Sequence, residues 1–411
     1  MNLVNEQVYK QWIKNIVIFL TSQTVSLFGS SLVQYAIFWY VTLNTKSGLL
    51  MTIFILCGFV PTFLLSPFAG VWADRFNRKM LIILADALVA LATLVLAVLF
   101  LTGYKELWLL FAMASIRAIG TGIQTPAIGA ILPQIVPEEK LTKVNGINGS
   151  IQALVMLVAP MASAALLTMA SLEMIFFIDI ITAAVAILFM LTSFKIPVHR
   201  KAREQQMVNY FTDLKQGIAY IKQHPFLLKF FLFLTIYFIF VAPAAFLTPL
   251  QVARSFGDEV WRLTAIEIAF SSGMMIGGVV IAAWGGFRNR IHTMTLASLL
   301  FGVCTFSLGI TPNFWIYLFF MMVTGVAMPF FNTPSTVLLQ EKIEEDFQGR
   351  IFGIYGMIST SMMPIGMLIF GPIADYIKIE WLLIGTGLCM FIQSFFLIGS
   401  KVLVEAGKPA N

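Results

Sequence analysis

Gly70-Val71-Trp72-Ala73-Asp74-Arg75-Phe76-Asn77-Arg78-Lys79-Met80 is the stretch that decides how this chain folds. It lies between two long apolar runs and packs one acid, two arginines and a lysine into the six residues from Asp74 to Lys79. A connection this short holds its two flanking helices side by side. Fixed charges at that height can also bond to helix ends on the same membrane face. A plain positive-inside loop needs Lys and Arg but no Asp at that spacing.

The rest of the composition agrees that the flanking runs are membrane spans. Of 411 residues, 59% are hydrophobic and only 11% charged, with a mean hydropathy of +0.89. Soluble chains carry about 25% charged residues, so a soluble domain is excluded. A span needs about 20 apolar residues, which leaves room for about a dozen spans and short connectors. The first apolar run, reaching Val41, is too long for the core of a signal peptide. Cys57, Cys304 and Cys389 lie singly in apolar runs and imply neither a disulfide nor a metal site. The net charge of +6 does not point to nucleic acid. With the N-terminus placed in the cytoplasm, about 20 of the 26 Lys and Arg fall on that side of the membrane, about five fall on the other, and Arg117 lies inside a span. That asymmetry is the positive-inside rule with both termini cytoplasmic.

The expected spans fall near 16–41, 49–72, 80–101, 107–134, 143–169, 174–194, 226–252, 261–287, 291–310, 314–340, 347–374 and 381–403, the last followed by a short polar tail. Residues 195–224 form the long polar connector, and Tyr210, Leu214, Ile218 and Ile221 give its second half the spacing of a helix lying on the membrane surface. The fold class expected is an all-α membrane protein of twelve transmembrane helices in two six-helix bundles, 1–194 and 225–411, joined by the cytoplasmic linker 195–224. A weak internal repeat supports the duplication. Gln124-Thr125-Pro126 with Val136-Pro137-Glu138-Glu139 recurs about 208 residues later as Asn332-Thr333-Pro334 with Ile343-Glu344-Glu345, which makes spans 4–5 and 10–11 equivalents.

Several polar residues stand out inside the spans. Gln23, Ser30 and Gln34 fall within about 40° of one another on span 1. Arg117 lies well inside the hydrocarbon, and Thr121 and Gln124 share its face. A charge there is costly unless it meets a cavity or a partner. Asp86 is not assumed to be its partner, because counting from opposite ends of antiparallel helices leaves the two roughly 9 Å apart in depth. Asp86, Asp179 and Glu267 are the intramembrane carboxyls, each a candidate proton carrier. Asp179 and Glu267, about two turns from the outer face, have the alternative of being hydrated or pinned to a neighbouring helix. Glu267 shares a face with Ser271 and Met274, and Gly273 and Gly277 would let another helix approach closely. Gln23, Gln34, Arg117, Gln124 and Asn332 are the candidate cavity and substrate residues. No nucleotide-binding, zinc-protease or nucleophile-elbow motif occurs, so neither enzyme chemistry nor a cofactor or metal is expected.

The charged turn resembles the loop between helices 2 and 3 of the major facilitator superfamily, roughly G-x-x-A-D-R-x-G-R-K. Gly70, Ala73, Asp74, Arg75, Arg78 and Lys79 match, and Asn77 stands where the family has glycine; Asn tolerates the same left-handed backbone. Within that superfamily, Ile116-Arg117-Ala118-Ile119-Gly120-Thr121, Thr125-Pro126-Ala127, Val136 to Lys143, Ser272 to Gly278, Gly349-Arg350 and Met363-Pro364-Ile365-Gly366 are similar to bacterial macrolide efflux proteins. The resemblance implies a gate on the cytoplasmic face formed by Gly70, Asp74, Arg75, Arg78 and Lys79 with Arg350 at the start of span 11. It also implies a secondary active exporter of hydrophobic or amphipathic small molecules, macrolide-like antibiotics among them, working by alternating access as a proton-coupled antiporter. Its partners would be the small-molecule substrate, protons and the lipid bilayer, and its place a bacterial inner or plasma membrane, as a monomer. Two departures touch antiport. Ala159-Pro160 and Ala162-Ser163 replace the Gly-Pro and glycine pair of the multidrug-antiporter signature, and Gly120 follows Arg117 where R-x-x-Q-G is usual. A siderophore or other metabolite exporter of the same fold is the alternative, and a non-transporting receptor or scaffold a remote one.

Overall fold

The computed structural model describes residues 2–137, 140–194 and 210–408, and among these residues all regular structure is helical. The helices are α1 (Asn2–Thr45), α2 (Gly48–Arg75), α3 (Arg78–Leu101), α4 (Leu107–Ile135), α5 (Leu141–Met169), α6 (Leu172–Thr192), α7 (Tyr210–Gln223), α8 (Pro225–Phe246), α9 (Thr248–Ser255), α10 (Val260–Trp284), α11 (Arg290–Ile310), α12 (Phe314–Lys342), α13 (Glu345–Ile373), α14 (Ile379–Gly399) and α15 (Lys401–Ala406). Twelve stretches of the described residues are long and apolar enough to cross a membrane, and α8 with α9 counts as one of them.

The polypeptide divides into two compact units. One holds α1 to Val41, α2 from Ile53 and α3–α6; the other holds residues 42–52 together with α7–α15.

In the first unit the apolar core is split in two. Leu32, Ile37, Phe54, Leu96, Phe100, Leu110, Met113 and Phe176 form one cluster. Ile16, Phe19, Ile82, Ile131, Leu132, Met190 and Phe194 form the other. On α1, α3, α4 and α6 alike, the residues between the two clusters carry the polar side chains, so the sequence order of each helix makes one polar layer between two dry ones.

In the second unit glycines set the closest approach. A Cβ on Gly273 would overlap Met322 O, one on Gly325 would overlap Phe270 O, and one on Gly277 would lie 2.5 Å from Val326 O. The small pair on α10 therefore does seat another helix, α12, backbone against backbone. Gln251 ties α9 to two neighbours, donating to Leu308 O at 3.0 Å and accepting from Tyr317 Oη at 2.8 Å. The surface helix expected in the linker is α7, whose Tyr220 stacks on Phe347 of α13 with ring centroids 4.3 Å apart. The first half of the linker lies outside the described residues.

Two local expectations are corrected, at Asn77 and in the tail after α14. Asn77 is not left-handed: φ −66° and ψ 109° make it an extended N-cap whose side chain accepts from Met80 N, a use of Asn that glycine cannot supply. The seventh span is interrupted where its prolines fall: Pro243 lies inside α8, which ends at Phe246, and Pro249 opens α9 as a separate short helix. The polar tail after α14 folds back as α15, held where Asn289 Nδ2 donates to Val404 O at 2.8 Å and Arg290 N donates to Gly407 O at 2.9 Å.

Candidate functional site

The polar layer of the first unit is built from single residues placed at mid-helix. Arg117 on α4 donates from Nη1 to Asp179 Oδ2 of α6 at 2.7 Å and from Nη2 to Ser30 O of α1 at 2.6 Å. Ser30 Oγ donates to Asp179 Oδ1 at 3.0 Å, and the Thr93 hydroxyl of α3 lies 3.0 Å from Asp179 Oδ2. Four helices thus converge on one carboxylate. The side chains of Arg117 and Asp179 are 7% and 1% exposed, so each charge is balanced chiefly by the other. Close helix approach makes this possible, since a Cβ on Gly29 would overlap Thr182 Oγ1 and one on Gly120 would lie 2.6 Å from Val89 Cγ2.

Asp86 occupies a second position in the layer. Its Oδ1 accepts from Ser26 Oγ at 2.8 Å and from Gln124 Nε2 at 3.1 Å. Gln124 Nε2 also lies 3.4 Å from Gln23 Oε1. The remaining atoms of the group, Asp86 Oδ2 and Gln23 Nε2, are buried with no hydrogen-bond partner. A buried acceptor and a buried donor in one small network therefore keep hydrogen-bonding capacity that the described residues do not use. The Arg117 and Asp179 charges cancel, which leaves the Asp86 carboxyl as the unmatched group in the layer.

The structure therefore brings Gln23, Asp86 and Gln124 together in one network and Arg117 and Asp179 in another, and pins Asp179 to Arg117 as one of its two expected alternatives. Gln34 is half-buried and bonds to none of them. Glu267 belongs to the second unit, half-buried on α10, with no hydrogen-bond or ion-pair partner among the described residues. Asn332 is exposed on α12. Two members of the charged turn are engaged within the first unit. Arg78 donates to Ala73 O and Ala130 O, each at 2.8 Å, and Lys79 Nζ donates to Phe194 O at 2.6 Å, so both cap carbonyl ends of helices. The Arg350 guanidinium lies 5.3 Å from the Phe347 ring centroid. Asp74, Arg75 and Gly70 fall where side chains are outside the described set. Ser26 and Thr93 are the members that sequence reasoning missed. Thr93 follows Asp86 by seven residues, hence on the same helix face, and that spacing was a usable signal.

Residues 19–367 match the Major Facilitator Superfamily. The chain belongs to that family. It is 32% identical over 389 residues to Macrolide efflux protein A of Streptococcus pyogenes, covering 93% of this chain and 95% of that protein. It is 22% identical over 396 residues to the Staphyloferrin A transporter of Staphylococcus aureus, covering 94% and 97%. Among solved structures, a bacterial homologue of the iron transporter ferroportin superposes with a TM-score of 0.67 at 16% identity, covering 93% of this chain and 98% of that one. The chain is a multi-pass bacterial membrane protein of a transporter family, and its polar layer lies within candidate membrane spans.

Proposed function

We propose that this protein is a secondary active exporter of hydrophobic or amphipathic small molecules of the macrolide type, working by alternating access and coupled to protons. The observation that carries the cargo class is the similarity to Macrolide efflux protein A along 93% of the chain. Energy must come from an ion gradient, because the sequence holds no nucleotide-binding motif. For the coupling step, Asp179 is already matched by Arg117, which leaves Glu267 and Asp86 as carriers. Glu267 is the first choice because nothing in its surroundings fixes its charge. Asp86 is the second, with Gln23 and Gln124 beside it as groups that meet cargo. The Lys and Arg distribution supports cytoplasmic termini, and a single chain is the expected working form.

The test is uptake of a labelled macrolide into inverted vesicles under an imposed proton gradient. Glu267→Gln should abolish uphill movement and spare downhill exchange. Full gradient-driven transport by that variant moves the role to Asp86, and Asp86→Asn is then the decisive comparison. A second reading, export of a siderophore or another metabolite, is favoured by the similarity to the Staphyloferrin A transporter. The same vesicles assayed with a siderophore separate the two.

A further inference from the structure

The segment 42–52 folds with the second unit although the rest of α1 and α2 does not, and the side chain that holds it there is Asp375, just past the end of α13. Asp375 Oδ1 accepts from Gly48 N at 2.7 Å and from Arg254 Nη2 at 2.8 Å. Its Oδ2 accepts from Leu49 N at 2.9 Å and from Ser47 Oγ at 2.8 Å. The first turn of α2 has amides with no partner inside its own helix, and a carboxylate there satisfies two of them and opposes the helix dipole. Arg254 adds a second tie by donating to Lys46 O, and Lys46 Nζ pairs with Asp258 at 2.9 Å. Beside these bonds the backbones touch. A Cβ on Gly48 would overlap Gly371 O, one on Gly371 would overlap Thr52 Oγ1, and Thr52 Oγ1 lies 3.2 Å from Met367 O. Lys46 is the one described non-glycine residue with positive φ, at 46°, where the chain turns into this contact.

Two properties separate this cluster from a permanent structural joint. Its charges are reachable by water, with the Arg254 and Asp375 side chains 28% and 26% exposed, against 7% and 1% for Arg117 and Asp179. The ties named above are also hydrogen bonds, set beside the buried Met51, Met367 and Ala374, and each hydrogen bond broken can be replaced by one to water. A joint of this kind can close firmly and still release.

We propose that Asp375, with Arg254, is a positioning residue of the transport cycle: a latch that holds residues 42–52 against the ends of α9 and α13 and lets go once per turnover. The proposal rests on the alternating-access reading above. The cycle needs segment 42–52 to change neighbours, and Asp375 sets how long it stays.

The test uses full-length protein with Cys57, Cys304 and Cys389 replaced by Ala. Spin labels at Lys46→Cys and Tyr376→Cys report the latch directly and need no cargo. A short distance should dominate. Asp375→Asn should raise the ratio of long to short distances by about tenfold, the scale of one charge-assisted hydrogen bond, and Asp375→Glu should restore the short one. An unchanged distribution in Asp375→Asn overturns the proposal. In a second arm, Ser47→Cys with Asp375→Cys is oxidised to a disulfide and assayed for macrolide transport. The crosslinked form should be inactive and recover on reduction. Undiminished transport with crosslinking complete also overturns it. If the protein carries no macrolide at all, only the cargo reading fails, and the spin-label arm still decides the latch.

Discussion

Arg117 and Asp179, 62 residues apart in sequence, meet at 2.7 Å with almost no exposed side-chain surface. Both charges have left water, so the pair is worth much less than the cost of breaking it. Asp179→Asn should destabilise the protein by about 3–5 kcal/mol because Arg117 keeps its charge without a matching anion. Arg117→Met combined with Asp179→Leu should recover most of that loss. Thermal unfolding in detergent measures both. Transport by a double variant of restored stability would show the pair to be structural, and loss of transport despite restored stability would place Arg117 in the cycle.

Gln124 donates to Asp86 Oδ1 and approaches Gln23, and the two buried atoms of this group without a partner are Asp86 Oδ2 and Gln23 Nε2. Gln23→Leu removes a buried donor that has no partner and an acceptor 3.4 Å from Gln124 Nε2, which still donates to Asp86, so folding should be little changed. If that donor meets cargo, KM for the macrolide should rise severalfold with little change in the maximal rate. An unchanged KM would remove Gln23 from the cargo-contacting set.

Burial alone would raise the pKa of Asp375, but the Leu49 and Gly48 amides, the Ser47 hydroxyl and Arg254 outweigh it and hold the carboxyl below its ordinary value. The direction fixes the pH window. A depressed acid contributes its full stabilisation above the ordinary Asp value of about 3.9 and loses it only as pH falls through the lower, latched value. The distance between labels at 46 and 376 should therefore stay constant from about pH 8 to about pH 5. Opening within that range would mean that another group controls the segment.

Gly273 and Gly325 leave no room for a side chain between α10 and α12. Gly325→Val should force the helices apart and lower the melting temperature more than Gly278→Ala, since a Cβ at Gly278 meets nothing within 4 Å. Equal effects would show that the two helices can separate without penalty.

The sequence made the spans legible because hydropathy and length act within each segment. What it could not supply were contacts set by helix rotation. Arg117 was visible as a charge needing a partner, and the depth count argued against Asp86. Choosing Asp179 required knowing that α1, α3, α4 and α6 share one layer. Asn77 was misjudged because its side chain does the capping while its backbone stays extended. Asp375 attracted no notice at all. It reads as an ordinary acid at the end of a span, and its partners at 47–49 are more than three hundred residues away.

The Arg117–Asp179 pair also has a consequence for biogenesis. A chain emerging from the ribosome delivers α3, α4 and α5 to the bilayer before α6 exists. A mid-membrane arginine or aspartate raises the insertion cost of its segment by about 2.5–3.5 kcal/mol. Until residue 179 arrives, Arg117 must be sheltered by the translocon, by water or by backbone carbonyls such as Ser30 O. The first five helices are therefore an intermediate that the insertion machinery has to hold, and α6 is the element whose arrival lets the nascent bundle be released into lipid.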